Sequence, residues 1–114
     1  MTDRRSASAI AINMFRMRPG ISSEEFAEFS RSVDQPTCLQ HDVVRRFDAY
    51  RVSAESVALL GADIVEVMEV SDWNEWVDVR DGHPSLKPVM SGFDKLVDPL
   101  TVRSALVVPI VRVI

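Results

Sequence analysis

The chain has 114 residues, 46% of them apolar and 26% charged, with a formal net charge of −4. That size and balance describe one soluble globular domain over residues 1–114, able to bury roughly 65% of its unfolded surface; the acidic charge without a basic run excludes a nucleic-acid surface, and no apolar run nears the roughly 20 residues of a membrane span. A single cysteine, Cys38, excludes an internal disulfide or a cysteine-based zinc site and fits a reducing cytoplasm.

Residues 1–8 (MTDRRSAS) are polar and charged and lack the apolar core of a secretory signal, so a loose N-terminus is expected there. Ala9–Arg16 reads as a first strand that is mostly apolar on both faces, with Asn13 the exception needing a partner if buried. Pro19-Gly20 is a turn. Ser22 and Glu25 have capping-box spacing, and the helix they open shows Phe26, Phe29, Ser30 and Val33 on one side. It is expected to stop near Asp34, before Pro36, leaving residues 35–41 irregular. Asp42–Val52 is a second strand with Val44, Arg46, Asp48 and Tyr50 alternating against Val43, Arg45, Phe47 and Ala49. Ser53–Gly61 is a connection with room for a helical turn. Asp63–Val70 is a third strand, on which Glu66 shares a face with Ile64 and Met68. Ser71 and Asp72 offer N-cap oxygens to a helix carrying Trp73, Trp76, Val77 and Arg80. Gly82 stops that helix, His83 follows it and Pro84 prevents its continuation. A further helical piece runs from about Leu86 to Val97, with Val89 and Phe93 on one side. Thr101–Ile114 is a β-branched last strand whose Pro109 places it on an edge or across to another chain.

The order β-α-β-β-α-β predicts an α+β, ferredoxin-like domain with both helices on one face of a four-stranded antiparallel sheet. Strands one, three and four are apolar on both faces, so the uncovered face needs a partner. A second copy of the chain is the expected one. The homodimer would pair two sheets as an α+β barrel, with a pocket either between sheet and helices or inside the barrel.

With that pattern in place, Asp34-x-Pro36-Thr37-Cys38, residues 44–52 (VRRFDAYRV), residues 64–76 (IVEVMEVSDWNEW) and residues 88–99 (PVMSGFDKLVDP) together resemble the RedY-like (HapK-like) family of the dimeric α+β barrel superfamily. The resemblance implies a small cofactor-free enzyme of bacterial secondary metabolism that directs cyclisation of a reactive indole- or pyrrole-derived intermediate, of bisindole or prodigiosin type. A non-catalytic protein stabilising that intermediate, and a cofactor-independent monooxygenase, are the alternatives.

The site candidates rest on chemistry and position. Glu66, a carboxylate in mid-strand, is either a base and anchor for an N–H or iminium, or one half of a salt bridge to Arg46 or Arg45. His83 is either a proton carrier at the pocket mouth or an exposed loop histidine. Asn13, Arg46 and Tyr50 are candidates to orient a polar group of the substrate, and Trp73, Trp76 and Phe93 to stack on a flat ring, although helix packing explains the tryptophans as well. Phe15 and Phe47 pose the same question more weakly. Cys38 has no basic neighbour in sequence, so covalent catalysis is not expected. His41 and His83 lack metal-site spacing, so no metal is expected. No glycine-rich phosphate loop is present, and no cofactor is expected.

Overall fold

The computed structural model describes residues 8–110. The expectation of a loose N-terminus therefore lies, apart from Ser8, outside the described residues, as does the end of the last predicted strand at residues 111–114. The strands are β1 (Ala9–Phe15), β2 (Val44–Arg51), β3 (Ile64–Val70) and β4 (Arg103–Val107). The α-helices are α1 (Ser23–Phe29), α2 (Gln35–Leu39), α3 (Ala54–Leu60), α4 (Trp73–Gly82) and α5 (Lys87–Leu96). The four strands form one antiparallel sheet in the order β2-β3-β1-β4. This is the ferredoxin-like α+β arrangement.

The predicted caps hold. Ser22 Oγ accepts from the Glu25 N–H (3.2 Å) while Glu25 Oε2 accepts from the Ser22 N–H (2.8 Å). Asp72 Oδ1 accepts from the Glu75 N–H (2.9 Å) and starts α4. Gly61, at φ 69°, closes α3 in the left-handed region, where a side chain would be strained.

Three elements differ from the sequence reading. The first helix does not stop at Asp34. A π-helical segment, Ser30–Asp34, links α1 to α2, so residues 35–39 are helical and not irregular. An α-helix would demand an N–H from Pro36 and press its ring against the carbonyl four residues back. The wider turn avoids both, with the Gln35 N–H donating to the Ser30 carbonyl five residues back. The second strand is shorter than predicted and carries an irregularity between Val44 and Arg46. Val44 and Phe47 are consequently both buried, while Arg45 and Arg46 are both exposed. Simple alternation fails because one residue is inserted into the ladder. The last strand is also shorter than predicted, since residues 99–101 form a 3-10 turn before β4.

Opposed pairs fix which side chains share a face. Ala11, Asn13 and Phe15 lie opposite Met68, Glu66 and Ile64, on the face the helices cover. Ile10, Ile12 and Met14 lie opposite Glu69, Val67 and Val65, on the open face. Beneath the helices the core is split. Phe15, Met17, Phe26, Ile64 and Val97 form one apolar cluster, with Phe15 edge-on to Phe26 and Phe93 at 5.2 and 5.0 Å between ring centres. Val44, Phe47, Met68, Val70, Trp76, Leu86 and Val89 belong to the other. Between them the sheet presents a polar rung.

Candidate functional site

That rung runs across three strands. Ser104 on β4 is opposite Asn13 on β1, and Asn13 is opposite Glu66 on β3. The Ser104 hydroxyl donates to Asn13 Oδ1 (2.7 Å), which leaves the Asn13 amide nitrogen to donate to the Glu66 carboxyl. Asn13 therefore has the partner its position demanded. Glu66 is 4% exposed and Asp34, from the π-helical segment, is also 4% exposed. Their carboxyls lie within hydrogen-bond reach of each other. Glu66 Oε2 accepts from no conventional donor among the described residues. Two buried carboxylates at that separation cannot both stay ionised, so the pair shares a proton. Burial first, and the neighbouring Asp34 charge second, push the Glu66 carboxyl well above its ordinary range. Burial pushes Asp34 up to about 6. One turn on from Asp34, Cys38 Sγ donates to Asp34 Oδ1 (3.5 Å). Burial and the adjacent carboxyl raise this thiol, so the thiolate that covalent catalysis needs is disfavoured.

These groups form one wall of a cavity of about 340 Å³ between the sheet and the helices. Phe47, Trp73, Trp76 and Phe93 supply aromatic surface, Met68, Leu86, Val89 and Met90 supply aliphatic surface, and Leu106 and Val102 close the β4 side. Arg80 also lines it, with its guanidinium engaged by Asp81 (Nε–Oδ1 2.9 Å). Of the predicted site residues the fold thus gathers Glu66, Asn13, Trp73, Trp76 and Phe93 around one space. Phe47 lines it too, whereas Phe15 is fully buried in the neighbouring cluster.

Three candidates are placed elsewhere. Arg46 faces Glu69 on the open face and pairs with Asp48. The suggested salt bridge to Glu66 is absent, because the residue opposite Glu66 is Ala49 and the irregularity at Arg45 turns both arginines outward. Tyr50 is opposite Val65 on the open face and 52% exposed. His83 is exposed at the end of α4, where its Nδ1 accepts from the Ser85 N–H (3.1 Å) and its ring packs edge-on against His41, with 4.6 Å between ring centres. It is not among the residues lining the cavity. Among the described residues no group of three or more His, Cys, Asp or Glu side chains stands together as a metal site.

Asp34 and Ser104 are the site residues that sequence reasoning missed. Asp34 was hidden by Pro36, which marks a helix end under α-helical rules. Its spacing of four from Cys38 was the available signal. Ser104 becomes legible only once β4 is paired with β1.

No helix among the described residues is long and apolar enough to cross a membrane. No curated protein sequence matches the chain. Among solved structures it is similar to HapK from Hahella chejuensis (19% identity, TM-score 0.69, covering 93% of this chain and 98% of that one). It is also similar to SnoaB, a cofactor-independent oxygenase from Streptomyces nogalater (14%, 0.68, 94% and 97%). A third likeness is to a dabb family protein with a ferredoxin-like fold from Mesorhizobium loti (16%, 0.66, 90% and 97%). At these identities the solved structures establish the fold. The family model described as REDY-like protein HapK matches residues 9–108, nearly the whole chain, and the protein belongs to that family.

Proposed function

We propose that this protein is a cofactor-free enzyme of secondary metabolism, acting in the cytoplasm as a homodimer, that binds a flat indole- or pyrrole-derived intermediate and directs its ring closure. The observation that carries the reading is the proton-sharing Asp34–Glu66 pair set into an aromatic-walled cavity of about 340 Å³. The volume lies within the range of small-molecule sites. Rigid walls from two helices and the sheet would hold a reactive substrate in one geometry and exclude water from competing routes.

The carboxyl pair supplies the proton chemistry. When an indole or pyrrole carbon attacks an electrophilic carbon, a C–C bond forms and the attacking ring carbon is left with one proton too many. An electrophile that enters as an iminium takes the displaced electron pair on nitrogen and becomes neutral without a further proton. The pair, holding one shared proton and one negative charge, accepts the ring proton and passes it to water as product leaves, so its own proton count is restored at the end. Asn13, held by Ser104, fixes the orientation of Glu66 throughout.

Glu66→Gln tests this. The variant is expected to fold, because glutamine keeps the shape and both hydrogen-bonding ends, but to lower the rate of ring closure by about 10²–10⁴ and shift the product distribution from a bisindole or bipyrrole intermediate generated in situ. An unchanged profile removes Glu66 from the mechanism. Product formed only in stoichiometric amounts by the parent protein would make it a carrier of the intermediate.

The fold shared with SnoaB favours one second reading, a cofactor-independent oxygenase using the same cavity. Oxygen uptake matched to product would establish that reading, and an undiminished yield under anaerobic conditions would dismiss it.

A further inference from the structure

The titratable side chains lining the cavity, among the described residues, are Asp34, Cys38, Glu66 and Arg80. They come from the helical segment after α1, from β3 and from α4. Arg80 is partly exposed, and its charge is met by Asp81. Cys38 is a neutral thiol donating to Asp34. What remains is the carboxyl pair, both members 4% exposed, carrying one negative charge once one proton is shared. Among the described residues no lysine, histidine or free arginine lines the cavity to meet that charge. A buried charge without a counter-charge is costly, and Asn13 and Cys38 answer it only with dipoles. One oxygen of the pair, Glu66 Oε2, is left without a donor among the described residues. Trp73 and Trp76 line the same cavity, and indole rings attract cations over their faces.

We infer that the cavity is built for a positively charged ligand: a flat aromatic skeleton bearing an iminium, amidinium or protonated ring nitrogen, held by the Asp34–Glu66 pair and the two indoles. This rests on the cavity being the substrate site and specifies the charge state of what enters it. A cation would supply the counter-charge that the protein itself omits, whereas an anion would meet the carboxyl pair with only the engaged Arg80 to offset it.

The chain's only two tryptophans are Trp73 and Trp76, and both line the cavity, so intrinsic fluorescence reports its occupancy. Benzamidine, benzamide and benzoate have nearly the same shape and carry positive, zero and negative charge. Titrating each into the full chain at neutral pH is expected to give at least about tenfold tighter binding for benzamidine than for benzamide, with benzoate weakest. The Asp34→Asn/Glu66→Gln double variant, checked for folding by circular dichroism, is expected to lose most of that preference. Equal affinities in the parent chain overturn the inference while leaving the cavity as a binding site. A preference that survives in the folded double variant overturns it also. Silence from all three probes overturns both this inference and the reading of the cavity as a substrate site. The parent series decides the matter by itself even where the double variant fails to fold.

Discussion

A carboxyl group buried beside another carboxyl is a cost that the rest of the fold must offset. The signs at Asp34 and Glu66 make that cost measurable. Both are raised in the folded chain, Asp34 to about 6 and Glu66 well above its ordinary value, with burial the largest cause in each case. The folded state therefore binds protons at these groups more tightly than the unfolded state does. Their favourable contribution is fully present below the unfolded carboxylate range, near pH 4. It is lost as pH rises, first through about 6 for Asp34 and then through the higher range of Glu66. Urea denaturation of the parent chain and of Asp34→Asn/Glu66→Gln, each at several values between about pH 5 and about pH 8, is expected to show the parent losing stability relative to the variant as pH rises. A difference that stays flat would mean the two carboxyls are not buried together. At this scale the sequence was informative only in part. Glu66 stood out because a mid-strand carboxylate between apolar neighbours demands an explanation. Its partner could not be named from the strands, since Asp34 comes from the π-helical segment, and Ala49 stands opposite Glu66 where Arg46 or Arg45 was expected to reach it.

Helix and strand identities followed from capping residues and periodicity, and failed where one residue was inserted. The π-helical segment and the irregularity in β2 are the same kind of event, an extra residue in a regular ladder, and neither leaves a mark in hydrophobic periodicity. Both shape the site. The first carries Asp34 and Cys38 to the cavity, and the second turns Arg45 and Arg46 away from it. The close approach of α1 to α5 was equally hidden. Gly92 permits it, because a Cβ built there would lie within 2.8 Å of the Phe29 ring carbons Cδ1 and Cζ. Phe29 is itself edge-on to Phe26 at 5.7 Å, a contact it would give up by swinging aside. Gly92→Ala is therefore expected to destabilise the chain by about 1–3 kcal/mol through overpacking, despite alanine's better helix propensity. Chemical denaturation reads the change. A neutral or stabilising result would show that α5 can move away from α1 without loss.

At the scale of the whole molecule, the sheet is finished on one side only. The helices cover the face bearing Glu66, while Ile10, Ile12, Met14, Val65 and Val67 lie on the other, each only half-buried. The edge strand β4 is exposed along its whole length, with Val107, opposite Ile10 on the open face, at 36%. A contiguous apolar strip on so small a protomer is what a partner surface looks like. A two-fold pairing of the same face on itself would bury on the order of 800 Å² per partner, the size of a standard specific interface. Ile12 and Val67 are an opposed pair on the two central strands, so their side chains would sit near the middle of that contact. A negative charge at Val67 would be desolvated opposite Asp48 and on the same face as Glu69, with no counter-charge of its own, at a cost of several kcal/mol. Sedimentation equilibrium is thus expected to give the parent chain twice its 12.8 kDa protomer mass and Val67→Glu the protomer mass, with the helical circular dichroism of both unchanged. Because Val67 points away from the cavity, the variant protomer is also expected to keep its affinity for a cavity ligand. A parent chain that sediments as a folded protomer would show that the open face tolerates water, and the homodimer would have to be abandoned.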